Sequence, residues 1–401
     1  MRNTDRVKWL CGIAVAAVAL SAVPTYAQDA NSAPNAYRLE EGWAKQPMGR
    51  GNGSTIGLNV DRDGKSMWIY DRCGGNSCEG SKIAPLNKYD ASGRVVASLG
   101  AGMTNFPHGL FVDKDGNIWI TDGRADKDKK TGHTVLKLSP DGKVLMTLGT
   151  PGQAGDDATH FNAPSDVVVA PNGDIFVADG HGDKTNARIV KFSSDGKFIK
   201  AWGKEGKGPG EFDVPHGLAF DSAGRLFVAD RANSRLQIFD QDGKFLAEWK
   251  QFGRPSGVWI DKNDGIYVAD SQSSDKTNPG FKQGIRVGSA KDGKVTGFIE
   301  ETKYPGALEG VGVDDDGNIY AGYTGAQRLE KFGKKLTQGH QPTGVCEAIF
   351  ARRHECCHGR DRCPGHSRCA VMPALVAGIH VFVAAPREKA WMAGTTPAMT
   401  P

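Results

Sequence analysis

The chain has 401 residues, of which 50 are Lys or Arg and 46 are Asp or Glu, so its formal net charge is +4. This length predicts either two or three ordinary domains or one large repeat domain. The 53 glycines show no three-residue period, which excludes collagen, and hydrophobic runs recur throughout, which argues against a fully disordered chain.

The N-terminus has the pattern of a secretory signal peptide. Arg2, Arg6 and Lys8 precede an apolar run over residues 9–23, and Thr25-Tyr26-Ala27, with small residues at its first and third positions, offers a cleavage site. The apolar run is shorter than the ~20 residues that span a bilayer. We therefore expect cleavage of residues 1–27, with a retained membrane anchor as the alternative. The mature protein would be periplasmic or secreted, with no membrane span.

Residues 336–401 differ in composition from the rest of the chain. They hold five of the eight cysteines, and their last stretch resembles the translation of a bacterial intergenic repeat element. The Cys-Cys-His at 356–358 and the Cys-x2-His-x2-Cys at 363–369 match no zinc-binding spacing that we can name. We predict an unstructured appendage added by a lost stop codon or a frameshift, with a metal-binding module as the alternative.

The positive charge belongs to the two ends. Residues 28–335 alone have a net charge of −1. A nearly neutral body argues against nucleic acid or an anionic membrane as a partner.

The body of the chain is internally repetitive. Six segments share an apolar strand, a polar turn and a second strand rich in β-branched and aromatic residues; they end at positions 71, 122, 179, 230, 270 and 323. A second hairpin follows in each unit, as at residues 191–199, and four antiparallel strands make a propeller blade. The sequence therefore predicts an all-β fold, a six-bladed β-propeller over residues 28–335. The last unit lacks a strand, and we predict that residues 36–39 supply it and close the ring.

Two segments of the fourth unit resemble NHL-repeat propellers. Residues 206–212 (Gly-Lys-Gly-Pro-Gly-Glu-Phe) and 214–218 (Val-Pro-His-Gly-Leu) are similar to the linker and strand start of that repeat, and residues 230–239 continue the likeness. The resemblance covers essentially all of residues 36–335 and implies four-stranded NHL-type blades.

The first strand of each blade lines the central channel of a propeller, and functional groups are usually placed at one mouth. Aligning the six units puts these residues at that mouth: Ile56, His108, Ser165, His216, Ser256 and Glu309. His108, His216 and Glu309 come from alternate blades, about 120° apart in a six-fold ring, so they converge on the axis. Two His and one carboxylate form a catalytic-type site for zinc or non-haem iron. The alternative is that both His are capping residues of the repeat consensus.

A more specific resemblance is carried by residues 106–122 (Phe-Pro-His-Gly-Leu-Phe-Val-Asp-Lys-Asp-Gly-Asn-Ile-Trp-Ile-Thr-Asp), with residues 163–169 and 188–192. These segments resemble the peptidyl-α-hydroxyglycine α-amidating lyase family. That family is a six-bladed propeller with a zinc ion held by three His and a structural calcium. It cleaves an α-hydroxyglycine amide to an amide and glyoxylate.

The resemblance implies roles for five residues of this chain. His108 and His216 would bind zinc, and Arg72 would be the catalytic Arg. The main-chain carbonyls of Leu58 and Leu110 would bind calcium.

Three positions depart from the family pattern. Glu309 stands at the third zinc His; a carboxylate can still bind zinc, although it leaves the ion less electrophilic. Gly310 stands at a calcium-binding Asp, which leaves the calcium site incomplete. His181 falls at the catalytic Tyr, and an imidazole can act as a general base near neutral pH.

Arg72 and two cysteines mark the end of the second strand in blade 1. A fixed Arg72 guanidinium near the axis would bind a carboxylate or an alkoxide, whereas the alternative is an ordinary surface Arg. Cys73 and Cys78 are the only cysteines of the body, and export favours their oxidation to a disulfide that stiffens the loop after Arg72. A thiol metal site is the weaker alternative.

The leading prediction is an exported, monomeric, metal-dependent enzyme, lyase-like, with zinc or another divalent metal as cofactor and a small carbinolamide or peptide as substrate. The alternatives are a non-catalytic NHL propeller that binds protein or glycan, and a metal-dependent lactonase or hydrolase.

Overall fold

The computed structural model describes residues 25–46 and 50–335. Over this part of the chain, we find no helix long and apolar enough to cross a membrane. The apolar run of the predicted signal peptide and the predicted appendage at 336–401 lie outside the described residues.

The described residues form six four-stranded antiparallel sheets, as the repeat predicts, so the six-bladed all-β propeller is confirmed. Blade 1 consists of β2 (Thr55–Val60), β3 (Met67–Asp71), β4 (Leu86–Tyr89) and β5 (Val95–Leu99). Blade 2 consists of β6 (Pro107–Val112), β7 (Ile118–Asp122), β8 (Thr134–Leu138) and β9 (Val144–Leu148). Blade 3 consists of β10 (Pro164–Val169), β11 (Ile175–Asp179), β12 (Arg188–Phe192) and β13 (Phe198–Trp202). Blade 4 consists of β14 (Pro215–Phe220), β15 (Leu226–Asp230), β16 (Arg235–Phe239) and β17 (Phe245–Trp249). Blade 5 consists of β18 (Pro255–Ile260), β19 (Gly265–Asp270), β20 (Gly284–Ser289) and β21 (Val295–Glu300). Blade 6 consists of β22 (Leu308–Val313), β23 (Ile319–Tyr323), β24 (Arg328–Lys334) and β1 (Tyr37–Leu39).

The ring is closed by the N-terminal strand, as the incomplete sixth unit predicts. β1 pairs antiparallel with β24, so that Tyr37 lies opposite Lys334 and Leu39 lies opposite Phe332. Tyr37 also packs into the hydrophobic cluster shared by blades 5 and 6. Pairing and packing together complete blade 6 and cover its otherwise open edge.

Glycine lets the inner strands of neighbouring blades approach closely. In five blades a glycine follows the residue at the start of the inner strand: Gly57, Gly109, Gly217, Gly257 and Gly310. A Cβ on Gly310 would lie 2.2 Å from the Ile56 carbonyl oxygen of the next blade. A side chain at this position would therefore push the two inner strands apart.

Blade 3 has Asp166 where the other five blades have glycine. Its Oδ2 accepts the Leu218 amide of blade 4 at 2.8 Å, and its Oδ1 accepts the Val167 amide at 2.9 Å. The partly buried carboxyl group therefore joins the inner strands of blades 3 and 4. Burial raises the pKa of Asp166 to about 7.

A short helix lies against blade 5. Helix α1 (Thr25–Ser32) buries Ala27 and Ala30 against Phe281, and the Asn31 side chain accepts a 2.7 Å hydrogen bond from Arg286. The helix therefore contains residues from both sides of the predicted cleavage site after residue 27.

Candidate metal centre

Two histidines enter the channel on equivalent strands of blades 2 and 4. His108 is the second residue of β6 and His216 the second residue of β14. The segment before each strand is held by a buried carboxylate at the end of the next strand. Asp122 accepts the Phe106 amide at 2.6 Å, and Asp230 accepts the Asp213 amide at 2.7 Å. The repeated Asp residues therefore fix the backbone from which both imidazoles project.

Backbone carbonyls orient both imidazole rings. His108 Nδ1 lies 2.6 Å from the Ser165 carbonyl oxygen, and His216 Nδ1 lies 3.0 Å from the Ser256 carbonyl oxygen. A carbonyl only accepts, so each Nδ1 carries the proton and each Nε2 keeps its lone pair. Both Nε2 atoms are buried without a hydrogen-bond partner. This arrangement is the one that metal-binding His residues commonly show.

His181 brings a third imidazole to the same point. It follows β11 in the loop Gly180-His181-Gly182, and both of its ring nitrogens are buried without a partner. Ring centroids are 4.4 Å apart between His108 and His181, 4.7 Å between His108 and His216, and 5.1 Å between His181 and His216. We call these three residues the His cluster. One ring nitrogen of each lies within 4.8 Å of the others, so the cluster can surround a metal ion.

The surroundings keep the His cluster neutral. Burial is the largest cause that lowers the pKa of each imidazole well below its usual value. Neighbouring cations lower the pKa further, chiefly Arg72 for His108 and Arg231 for His216. Neutral imidazole is the form that binds a metal, so the buried, unpartnered nitrogens fit a divalent ion such as zinc.

Glu309 lies beside the His cluster but is engaged elsewhere. Its Oε1 accepts a 3.0 Å hydrogen bond from Arg231 Nη1 and lies 3.8 Å from His216 Nε2. Glu309 therefore comes close to His216, as the blade alignment predicts. It is nevertheless not one of the residues whose possible ligand atoms all lie within 4.8 Å of one another, which are the three residues of the His cluster.

Arg231 is a site residue that the sequence analysis does not single out. It follows Asp230 as Arg72 follows Asp71, so its position in the repeat was the available signal. Its side chain is 10% exposed, and burial lowers its pKa while Glu309 opposes that shift. The resulting buried ion pair brings one positive and one negative charge next to the His cluster.

Arg72 is buried near the same cluster, which excludes the surface alternative. Its Nε donates to the Pro107 carbonyl oxygen at 3.2 Å and its Nη1 to Asn76 Oδ1 at 2.7 Å. The guanidinium lies 3.6 Å from the Phe106 ring centroid, and Arg124 lies 4.1 Å from that centroid. Burial lowers the pKa of Arg72 to about 10, so it remains a cation at neutral pH. A fixed guanidinium with unused N–H groups can bind an anion.

The predicted disulfide joins Cys73 to Cys78, directly after Arg72. The pair closes a short loop that also contains Asn76, the partner of the Arg72 guanidinium. The prediction of this disulfide is confirmed, and the cross-link limits the freedom of the loop that carries Arg72.

The residues predicted to bind calcium line the central cavity of about 710 Å³. His108 and His216 line the same cavity. Leu58 and Leu110 both contribute to its wall. Gly310, at the position of the calcium-binding Asp of the family pattern, offers no carboxylate. The adjacent inner strand also leaves no room for a side chain at this position. The acidic group of this wall on the blade 3 side is Asp166.

The NHL repeat family matches residues 161–192 and 212–239. Peptidylglycine alpha-amidating monooxygenase of Rattus norvegicus is 40% identical over 173 residues, which are 41% of this chain and 16% of that protein. Peptidyl-alpha-hydroxyglycine alpha-amidating lyase 1 of Drosophila melanogaster is 37% identical over 142 residues, 35% of this chain and 23% of that protein. NHL repeat-containing protein 3 of Homo sapiens is 33% identical over 199 residues, 48% of this chain and 54% of that protein. The alignments thus span from about a sixth to about half of the relatives' length.

A solved gluconolactonase from Xanthomonas campestris shares the fold, with a TM-score of 0.50, 16% identity, and coverage of 71% of this chain and 87% of that structure. At this identity the likeness concerns the fold alone. The chain is therefore a six-bladed propeller with NHL repeats, and it resembles the peptidyl-α-hydroxyglycine α-amidating lyases.

Proposed function

We propose that the protein is an exported, metal-dependent lyase that cleaves a carbinolamide of the α-hydroxyglycine type to an amide and glyoxylate. The observation that carries the proposal is the His cluster, with its unpartnered ring nitrogens, set beside the buried cations Arg72 and Arg231. The lyase name of the Drosophila relative supports the same reaction class. The signal-like N-terminus and the Cys73–Cys78 disulfide support export.

The reaction needs one proton transfer and one bond cleavage. The substrate hydroxyl loses its proton, its oxygen forms the aldehyde C=O, and the bond from that carbon to the amide nitrogen breaks. The nitrogen takes up a proton and leaves as the amide. A divalent metal held by His108 and His216 would act as a Lewis acid on the substrate oxygen.

The remaining work falls to side chains of this protein. The Arg72 guanidinium, fixed by Asn76 and stacked on Phe106, would bind the substrate carboxylate or the developing alkoxide. Arg231 adds a second cation next to the cluster, and Glu309 beside it offers a carboxylate that can accept the hydroxyl proton. An anionic substrate with a hydroxyl near its carboxylate fits this charge pattern.

The proposal is tested by the release of glyoxylate from a synthetic α-hydroxyglycine amide, using the purified chain loaded with zinc. We expect turnover that a chelator abolishes and zinc restores. The Arg72→Lys variant should lower kcat/KM by about 10- to 100-fold, because a fixed charge-assisted hydrogen bond is lost. Arg94→Lys, at a side chain that is 71% exposed, serves as the matched control and should keep full activity.

Two results would count against the proposal. A zinc-loaded protein that releases no glyoxylate is not a lyase of this type. If the protein also takes up no metal, a non-catalytic binding propeller is the better description.

A further inference from the structure

We infer that His181 of blade 3, and not Glu309 of blade 6, is the third donor of the metal centre. The inference rests on the metal site of the proposed function and specifies its ligands. It moves the third ligand away from the alternate-blade arrangement that the inner strands alone predict.

The two candidate donors differ in their hydrogen bonds. His181 has both ring nitrogens buried and without a partner, whereas Glu309 Oε1 already accepts a hydrogen bond from Arg231. An unpaired buried polar atom is destabilising and uncommon in native proteins. A metal ion would satisfy the imidazole of His181, whereas it would have to compete with Arg231 for Glu309.

Glu309 could be freed only by breaking a buried ion pair. Its partner Arg231 is buried, and Arg231 Nε already has no hydrogen-bond partner. Removing one member of a buried ion pair is strongly destabilising, because the other charge stays behind uncompensated. Glu309 could bind the metal only by weakening its bond to Arg231, while His181 gives up no bond at all.

The loop that carries His181 is held in a tight conformation. Gly180 has a φ of 144°, and a Cβ on it would lie 1.6 Å from the Asn186 carbonyl oxygen. The Asn186 side chain donates to the Gly155 carbonyl oxygen at 2.8 Å and to Asp179 Oδ2 at 2.7 Å. These bonds anchor the loop to blade 3. The anchored loop holds the His181 ring against the rings of His108 and His216.

The charge of the site follows from this assignment. Three neutral imidazoles leave the full charge of a divalent ion uncompensated by its ligands. Glu309 remains paired with Arg231 and stays available as the basic group next to the substrate. His181 is then unavailable as the general base that its sequence position suggested.

The experiment compares metal affinities in the absence of substrate. The chain is stripped of metal, and its zinc affinity is measured by competition with a chromophoric chelator. Cobalt(II) absorption reports the number and type of ligands. The variants are His181→Ala, His181→Gln and Glu309→Gln, and His160→Ala, in a polar loop next to Asp157, is the control. Thermal unfolding of each metal-free protein verifies the fold.

We expect both His181 variants to lose more than about 100-fold in zinc affinity, since even supporting residues of a metal site are worth about 10- to 100-fold. Glu309→Gln and the His160 control should stay within about threefold of the parent protein, with the cobalt spectrum unchanged for both. The inference is overturned if Glu309→Gln loses the metal while the His181 variants keep it, or if both His181 variants bind zinc as tightly as the parent.

The outcome separates this inference from the proposed function. Metal binding that depends on His181, in a protein that releases no glyoxylate, supports the ligand assignment and contradicts the lyase. A parent protein that binds no divalent metal contradicts both.

Discussion

The partly buried carboxyl group of Asp166 should make the stability of the protein depend on pH. Asp166 lies in the central cavity wall, bonded to the amides of Val167 and Leu218, and burial raises its pKa to about 7 from the model-compound value of 3.8. A folded-state pKa that is raised means that the folded protein favours the protonated acid. The contribution of protonated Asp166 to the free energy of unfolding is therefore complete below the pKa that Asp166 has in the unfolded chain. It is lost as the pH rises through about 7.

The magnitude follows from the size of the shift. Each pKa unit corresponds to about 1.4 kcal/mol, so a shift of about 3 units is worth about 4 kcal/mol in all. Part of this is already lost at pH 5, where an unfolded aspartate is ionised. Between pH 5 and pH 8 the ionisation of Asp166 should lower the free energy of unfolding by about 2.5 kcal/mol.

The assay is urea unfolding of the parent and of Asp166→Asn at pH 5, 6, 7 and 8. The stability difference between the two proteins should shift by about 2.5 kcal/mol in favour of the variant over this range, because Asn does not titrate. Other titrating groups cancel in the difference. Asp242→Asn, at a side chain that is 87% exposed, should show no such shift. A difference between parent and Asp166→Asn that is constant from pH 5 to pH 8 would refute the reasoning.

Two further predictions concern the backbone around the site. Replacing Cys73 and Cys78 by Ser should lower the free energy of unfolding by about 2 kcal/mol, because the disulfide restricts the short loop in the unfolded chain. A reductant should have the same effect on the parent. An unchanged urea midpoint after verified reduction would contradict this. Gly310→Ala should cost about 1–3 kcal/mol, because its Cβ would meet the Ile56 carbonyl oxygen at 2.2 Å. Gly325→Ala in the same blade, where the nearest atom is at 3.8 Å, is the matched control, and equal losses in the two variants would show that the inner strands are not in close contact.

The fold could be predicted because its signal is local and repeated. Each unit has the same strand, polar turn and strand, so six repeats reinforce one interpretation, and the missing strand at the end points to residues 36–39 at the beginning. The approach of His108 and His216 was predictable for the same reason, since both occupy the same position in the inner strand of their blades.

The partners of the site side chains could not be read from the repeat. Repeat alignment gives the blade and the strand position of Glu309 but not the pairing of its carboxylate with Arg231 across the channel. His181 lies in a loop whose path depends on the backbone at Gly180 and on the bonds of Asn186. Loops and ion pairs of this kind are set by tertiary contacts, so sequence periodicity carries no information about them.

Ring closure by β1 also determines when blade 6 can be completed during synthesis. Tyr37 and Leu39 are made early, but their pairing partners Lys334 and Phe332 come about 300 residues later. At about 5–20 residues per second, the ribosome needs roughly 15–60 s to make those partners. During that interval blade 6 is incomplete, and apolar side chains of blade 5 such as Ile285 and Ile299 lack their covering partners. The propeller is therefore better suited to folding after translation ends than to folding blade by blade on the ribosome.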